Sequence, residues 1–180
     1  MKNYDCIFLD RDGTLNPDSG YISSLNDFSF YDFTIPALKE MSKAGNRFCI
    51  VTNQSGVTRG LIEDKALDEI HGFIKSEFEK HGIPLLGIYV CIDHPEEATE
   101  RRKPGPGMFL EAEADHNLHL LDCLMIGDSL ADIEAGEMLG MDTMLVLTGR
   151  GQETADLIPE YEMPAYIVQN LAEGVKKLCL

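Results

Sequence analysis

Short, nearly continuous apolar runs alternate along this chain with longer stretches in which apolar residues recur every three or four positions. Residues 6–9, 48–51, 86–92, 123–126 and 143–147 have the length and unbroken apolarity of strands buried on both faces. The intervening periodicity predicts helices over 35–44, 63–81, 106–117 and 131–139. In the second of these, Leu67, Ile70, Ile74 and Phe78 share one face. Gly45, Gly82 and Gly140 stand where three of the helices should stop. Residues 166–168 predict a short edge strand, and 171–177 a last helix. Buried strands alternating with amphipathic helices imply an α/β fold, a doubly wound and mainly parallel sheet covered by helices on both faces. A length of 180 residues suits one such domain.

Ligands of open α/β sheets bind beyond the carboxyl ends of the strands, near the point where strand order reverses. The polar clusters fall there. Asp10-Arg11-Asp12-Gly13-Thr14-Leu15-Asn16 follows the first strand, Thr52-Asn53-Gln54-Ser55-Gly56 the second, and Gly127-Asp128-Ser129 the fourth. Arg102-Lys103-Pro104 lies between the third and the fourth. Asp10 and Asp12 flank one residue, so in extended chain both side chains point the same way. Two close carboxylates repel, and Mg2+, which takes carboxylates, water and phosphate oxygens, relieves that repulsion; Asp128 is a natural third ligand.

Composition sharpens this picture. The net charge of −16 and the lack of a basic stripe exclude nucleic acid as a partner. A phosphorylated ligand therefore needs positive charge concentrated locally. Phosphoryl transfer requires an in-line nucleophile, charge neutralisation and a proton for the leaving group. Asp10 can attack, Asp12 can act as acid and then base, Thr52 can bond a phosphoryl oxygen, and Lys103 supplies a fixed charge. Gly13 permits a tight turn that aims amides at the phosphate. No apolar run is long enough to span a membrane, and the N-terminus lacks signal-peptide anatomy, so a cytoplasmic location is expected. The five cysteines are scattered and mostly in strand-like runs, where cysteine packs as a small hydrophobe. His71, His81, His116 and His119 lack spaced carboxylate partners and are expected at the surface.

Asp10-x-Asp12-Gly13-Thr14, Thr52, Lys103 and Gly127-Asp128-x-x-x-Asp132 resemble, in order, the four motifs of the haloacid dehalogenase-like (HAD) phosphatases. The resemblance implies a Rossmann-like fold and a phosphoaspartyl intermediate on Asp10. It also implies acid/base work by Asp12 and Mg2+ held by Asp10, the Asp12 carbonyl and Asp128. Asp132 would orient Lys103 or a metal-bound water. The segments 9–16, 52–60 and 102–108 are further similar to heptose-bisphosphate phosphatases, and less fully to histidinol-phosphate phosphatases. This implies a small phosphorylated substrate met by Asn53, Gln54, Ser55, Arg59 and Arg102. Relatives carry a zinc loop of Cys-x-His and Cys-x-Cys before Arg-Lys-Pro. Here Cys91-Ile92-Asp93-His94 keeps one cysteine of it and the second pair is missing, so zinc is not expected. The segment lengths leave no room for a cap domain, so an open site shaped by loops 16–28 and 93–102 is expected, in a monomer or weak homo-oligomer. A receiver-type module, phosphorylated without turnover, is the non-enzymatic alternative; an intact Asp12 speaks against it.

Overall fold

The computed structural model describes residues 2–159 and 163–179. Six strands form one sheet, all pairs parallel: β1 (Ile7–Leu9), β2 (Phe48–Asn53), β3 (Leu85–Cys91), β4 (Leu124–Gly127), β5 (Asp142–Val146) and β6 (Tyr166–Val168). The helices between and after them are α1 (Thr34–Lys43), α2 (Asp64–Lys80), α3 (Gly107–His116), α4 (Leu130–Met138), α5 (Gly151–Leu157) and α6 (Leu171–Leu178). The strand order is β3-β2-β1-β4-β5-β6.

Strand alternation divides the core between the two faces. Ile7, Leu9, Phe48, Ile50, Leu124 and Ile126 pack with Leu38 and Met41 of α1, Ile70, Ile74 and Phe78 of α2, and Leu171 of α6. Phe8, Cys49, Val51 and Met125, from the alternate positions, pack with Met108, Phe109 and Ala112 of α3 and Ala135 of α4. Both faces of the central strands are therefore dry, which is why their sequences read as unbroken apolar runs. Cys6, Cys49, Cys91 and Cys123 are buried free thiols, as their strand-like surroundings suggest.

The chain winds from β1 outward to β3, then crosses back to place β4 on the other side of β1. The reversal falls between β1 and β4, and a crevice opens at their carboxyl ends. Asp10 and Asp128 are the residues immediately beyond those two strands. One helix, α5, was not anticipated. Its seven residues include only one large apolar side chain, and Arg150 at its N-cap makes no side-chain capping bond, so neither periodicity nor a start signal marks it. It nonetheless forms a wall of the crevice. No helix among the described residues is long and apolar enough to cross a membrane.

Candidate active site

β1 delivers Asp10 to the crevice, and the Asp10 amide donates to the Ile126 carbonyl across to β4 (2.9 Å). The chain then turns tightly: the Leu15 amide donates to the Arg11 carbonyl, and the Gly13 amide to the Asn16 carbonyl. Gly13 has φ +86°, and a Cβ there would stand 2.0 Å from Oδ2 of Asp128. The glycine is thus needed for close approach of the turn to Asp128. Its own amide is used within the turn.

Lys103 reaches the same point from the segment before α3. Its ammonium donates to Oδ1 of Asp10 (2.7 Å), to Oδ1 of Asp132 (2.6 Å) and to the Val51 carbonyl (2.7 Å). With three acceptors for three protons, this buried lysine is fully satisfied. Burial opposes its charge, but Asp10 and Asp132 outweigh burial and hold its pKa above the usual lysine range. Asp132 is wholly buried, and its other oxygen accepts from the Ser129 amide and hydroxyl at the start of α4. Of the two roles expected for Asp132, the geometry matches orientation of Lys103.

Asp128 is tied by Oδ2 to the Arg150 amide (2.8 Å), and its carbonyl accepts from the Thr154 hydroxyl (2.8 Å). Burial, with Asp132 adding to it, raises the Asp128 carboxyl to about 7. Burial also raises the pKa of Asp10 well above the ordinary value, Asp132 and Asp128 add to this, and Lys103 opposes them. Carboxylate oxygens of Asp10, Asp128 and Asp132 lie within 4.8 Å of one another. Lys103 neutralises the Asp10–Asp132 side, while Oδ2 of Asp10 is left outside that pairing. Such crowded hard oxygen donors fit a small divalent cation such as Mg2+.

The Asp12 carboxylate is clamped. Oδ1 accepts from Nε of Arg11 and Nδ2 of Asn16 (2.9 Å each), and Oδ2 from Nη2 of Arg11 (2.7 Å) and Nε2 of Gln54 (2.8 Å). Burial opposes its charge, but Arg11, Asn16 and Gln54 prevail and hold it below the usual carboxylate range. Gln54 also donates to the Thr52 hydroxyl (2.9 Å), which leaves the hydroxyl's own proton available.

The crevice is a cavity of about 650 Å³ lined by Asp10, Asp12, Thr52, Lys103 and Asp128 at its base. Asn53, Gln54, Ser55 and Arg102 also line it, with Asp18, Gly20 and Tyr21 from the first flanking loop. Some of the residues expected to meet the substrate also have protein partners or lie outside the cavity lining. The Asn53 side chain is spent on the main chain of Lys103, donating to its carbonyl and accepting from its amide (3.1 Å each). Gln54 is committed to Asp12 and Thr52. Arg59 is exposed in the turn after Ser55 and is not among the cavity-lining residues. Two features escaped sequence reasoning. Arg150 lines the cavity and forms no ion pair among the described residues. His71, expected at the surface, is buried against Arg11, because α2 is turned with that position toward the first loop. In the segment expected to lack zinc, Asp93 accepts from the Thr99 amide and hydroxyl, its carbonyl accepts from Arg102, and the His94 ring caps a short 3-10 turn.

A parallel sheet gathering carboxylates and a buried lysine at its switch point is the architecture of an HAD-like hydrolase. The HAD-hydrolase-like family model matches residues 100–174. The D-glycero-beta-D-manno-heptose-1,7-bisphosphate 7-phosphatase of Photorhabdus laumondii is 36% identical over 186 residues, covering 95% of this chain and 96% of that protein. The enzyme of the same name from Escherichia coli K12 is 35% identical over 188 residues, covering 98% and 96%. Among solved structures, D,D-heptose 1,7-bisphosphate phosphatase from B. bronchiseptica, complexed with magnesium and phosphate, superposes with a TM-score of 0.88 at 29% identity, over 97% of each chain. The chain belongs to the HAD-like phosphatases, which are phosphoric monoester hydrolases, and within them to the heptose-1,7-bisphosphate 7-phosphatase family.

Proposed function

We propose that the protein removes the 7-phosphate of a D-glycero-D-manno-heptose 1,7-bisphosphate through an aspartyl-phosphate on Asp10. The observation that carries the substrate is full-length similarity to several enzymes of that name, joined to a cavity lined by two arginines besides Lys103. Oδ2 of Asp10 attacks phosphorus in line while Asp12, in the minor protonated form that its Arg11, Asn16 and Gln54 donors disfavour, gives its proton to the departing sugar oxygen. Asp12 then takes a proton from water, whose oxygen attacks the phosphorus of the acyl phosphate, releasing phosphate and restoring Asp10. Lys103 orients Asp10 and holds positive charge at the base of the cavity, and the Thr52 hydroxyl donates to a phosphoryl oxygen. Asp10, Asp128 and the Asp12 carbonyl would hold Mg2+, which when bound neutralises charge on the phosphoryl oxygens. No zinc site operates, and the 180 residues act as one domain with no separate cap.

Activity is expected to require magnesium and to vanish with chelator, while the purified protein carries far less than one zinc per chain. Stoichiometric zinc lost on Cys91→Ser would overturn this. The raised Asp128 pKa gives the sign of a second effect. A carboxyl whose folded pKa is raised contributes stability below its unfolded value and loses it as pH rises through the folded value. The magnesium-free protein is therefore destabilised toward about pH 8, and the thermal shift on adding magnesium is larger there than at about pH 5.5.

The substrate test is a comparison of kcat/KM values. Heptose 1,7-bisphosphate is expected to exceed histidinol phosphate by at least about tenfold, because arginine–phosphate bonds are worth about 1.5–3 kcal/mol and a cationic amine gains nothing from them. Arg102→Ala and Arg150→Ala should each raise KM for the bisphosphate about ten- to a hundredfold and spare an aryl phosphate. Arg59→Ala should leave both unchanged. A preference for histidinol phosphate or for a sugar monophosphate would remove the substrate and leave the phosphatase.

A further inference from the structure

Arg11 is wholly buried one residue from the proposed nucleophile, and its guanidinium does not face the cavity. Nε and Nη2 form a fork on the two oxygens of Asp12, and Nη1 lies 3.2 Å from Nε2 of His71 on α2. A guanidinium only donates, so Nε2 of His71 accepts, and the ring is neutral with its proton on Nδ1. Burial first, then the charges of Arg11 and Lys75, bring the His71 pKa down to about 4, which keeps the ring an acceptor at neutral pH.

We infer that His71 is a positioning residue: acting through Arg11, it fixes the orientation in which the Asp12 carboxylate transfers protons. This rests on the acid/base role given to Asp12 above. The Arg11 fork sets the carboxylate plane relative to the guanidinium, and Asn16 and Gln54 add one donor to each carboxylate oxygen. The contact from His71, on a helix packed against the sheet, holds the guanidinium itself. It matters because each Asp12 oxygen already has two donors. When a substrate or water proton arrives, one donor must yield, and the anchored fork is what keeps the carboxylate in place as it does. A histidine that only filled space would not need a ring nitrogen at this point.

The test compares His71→Leu, His71→Asn and His71→Gln in the magnesium-loaded enzyme, with Asp12→Asn in parallel. The Gln amide oxygen reaches about where Nε2 lies, and the shorter Asn cannot reach Arg11. Aryl and primary alkyl phosphates are both assayed, since nitrophenolate departs without a proton and an alkoxide does not. His71→Leu and His71→Asn are expected to lose about 10- to 100-fold in kcat on the alkyl phosphate with KM within about twofold, part of the 10²- to 10⁴-fold a positioned acid supplies. On the aryl phosphate they should show a burst of nitrophenolate followed by slow turnover, because phosphoenzyme forms readily but its hydrolysis still needs Asp12 as base. His71→Gln should return to within about threefold of wild type. Equal losses on both substrates without a burst, or Gln no better than Asn, would overturn the inference; because Gln and Asn are both polar, that comparison stands even if the Leu variant fails to fold. If Asp12→Asn itself remains active, the role of Asp12 fails; if it is inactive while all His71 variants match wild type, only the role of His71 fails.

Discussion

Asp10→Asn is expected to abolish turnover, with kcat falling on the order of 10⁴- to 10⁶-fold, the scale of loss when a covalent nucleophile is removed. The fold should survive. Asp10 lies at the end of β1 in a pocket where burial and the carboxylates of Asp128 and Asp132 already disfavour its charge. An uncharged isostere relieves that repulsion, while Lys103 keeps Asp132 and the Val51 carbonyl as partners. Thermal unfolding of the magnesium-free variant should therefore occur at or above the wild-type temperature. Activity within tenfold of wild type would remove Asp10 from the reaction. Unfolding well below wild type would show that the Asp10–Lys103 pair is mainly structural.

The second large effect is on stability. Lys103→Met removes a buried cation from between two buried carboxylates and leaves Asp132 facing Asp10 with no counter-charge. Breaking a buried ion pair from one side costs about 3–5 kcal/mol. For a chain of this size that corresponds to a fall in Tm of roughly 6–20 °C. Calorimetry on the magnesium-free protein measures it directly. Lys103→Met/Asp132→Leu, which removes the stranded charge as well, should recover a large part of the loss while remaining inactive. A single variant as stable as wild type would mean that the ammonium is not the counter-charge the geometry makes it. An active single variant would dismiss its role at the phosphate.

The sequence by itself determined the sheet, the order of its elements and the base of the cavity. Strands such as 48–51 and 123–126 are buried on both faces, so their composition alone marks them, and Asp10, Thr52 and Asp128 are the first polar residues after such runs. Asp10, Thr52 and Asp128 could be placed at one sheet edge for that reason alone. Tertiary structure decided what each polar side chain is spent on. Nothing in sequence shows that Asn53 bonds the main chain of Lys103, or that Gln54 donates to Thr52 and Asp12. Arg59 lies in a motif beside the site, yet its turn carries it away from the cavity. Arg150 sits at the start of a helix too short and too polar to show periodicity, and only the closure of α5 against Asp128 brings it to the wall. His71 is separated from Arg11 by 60 positions on an amphipathic helix, and no local pattern reports that pairing. Burial is written along the chain because it repeats with the period of a strand or helix. Hydrogen-bond partnership is not, because it depends on which distant donor arrives first within about 3 Å of each acceptor.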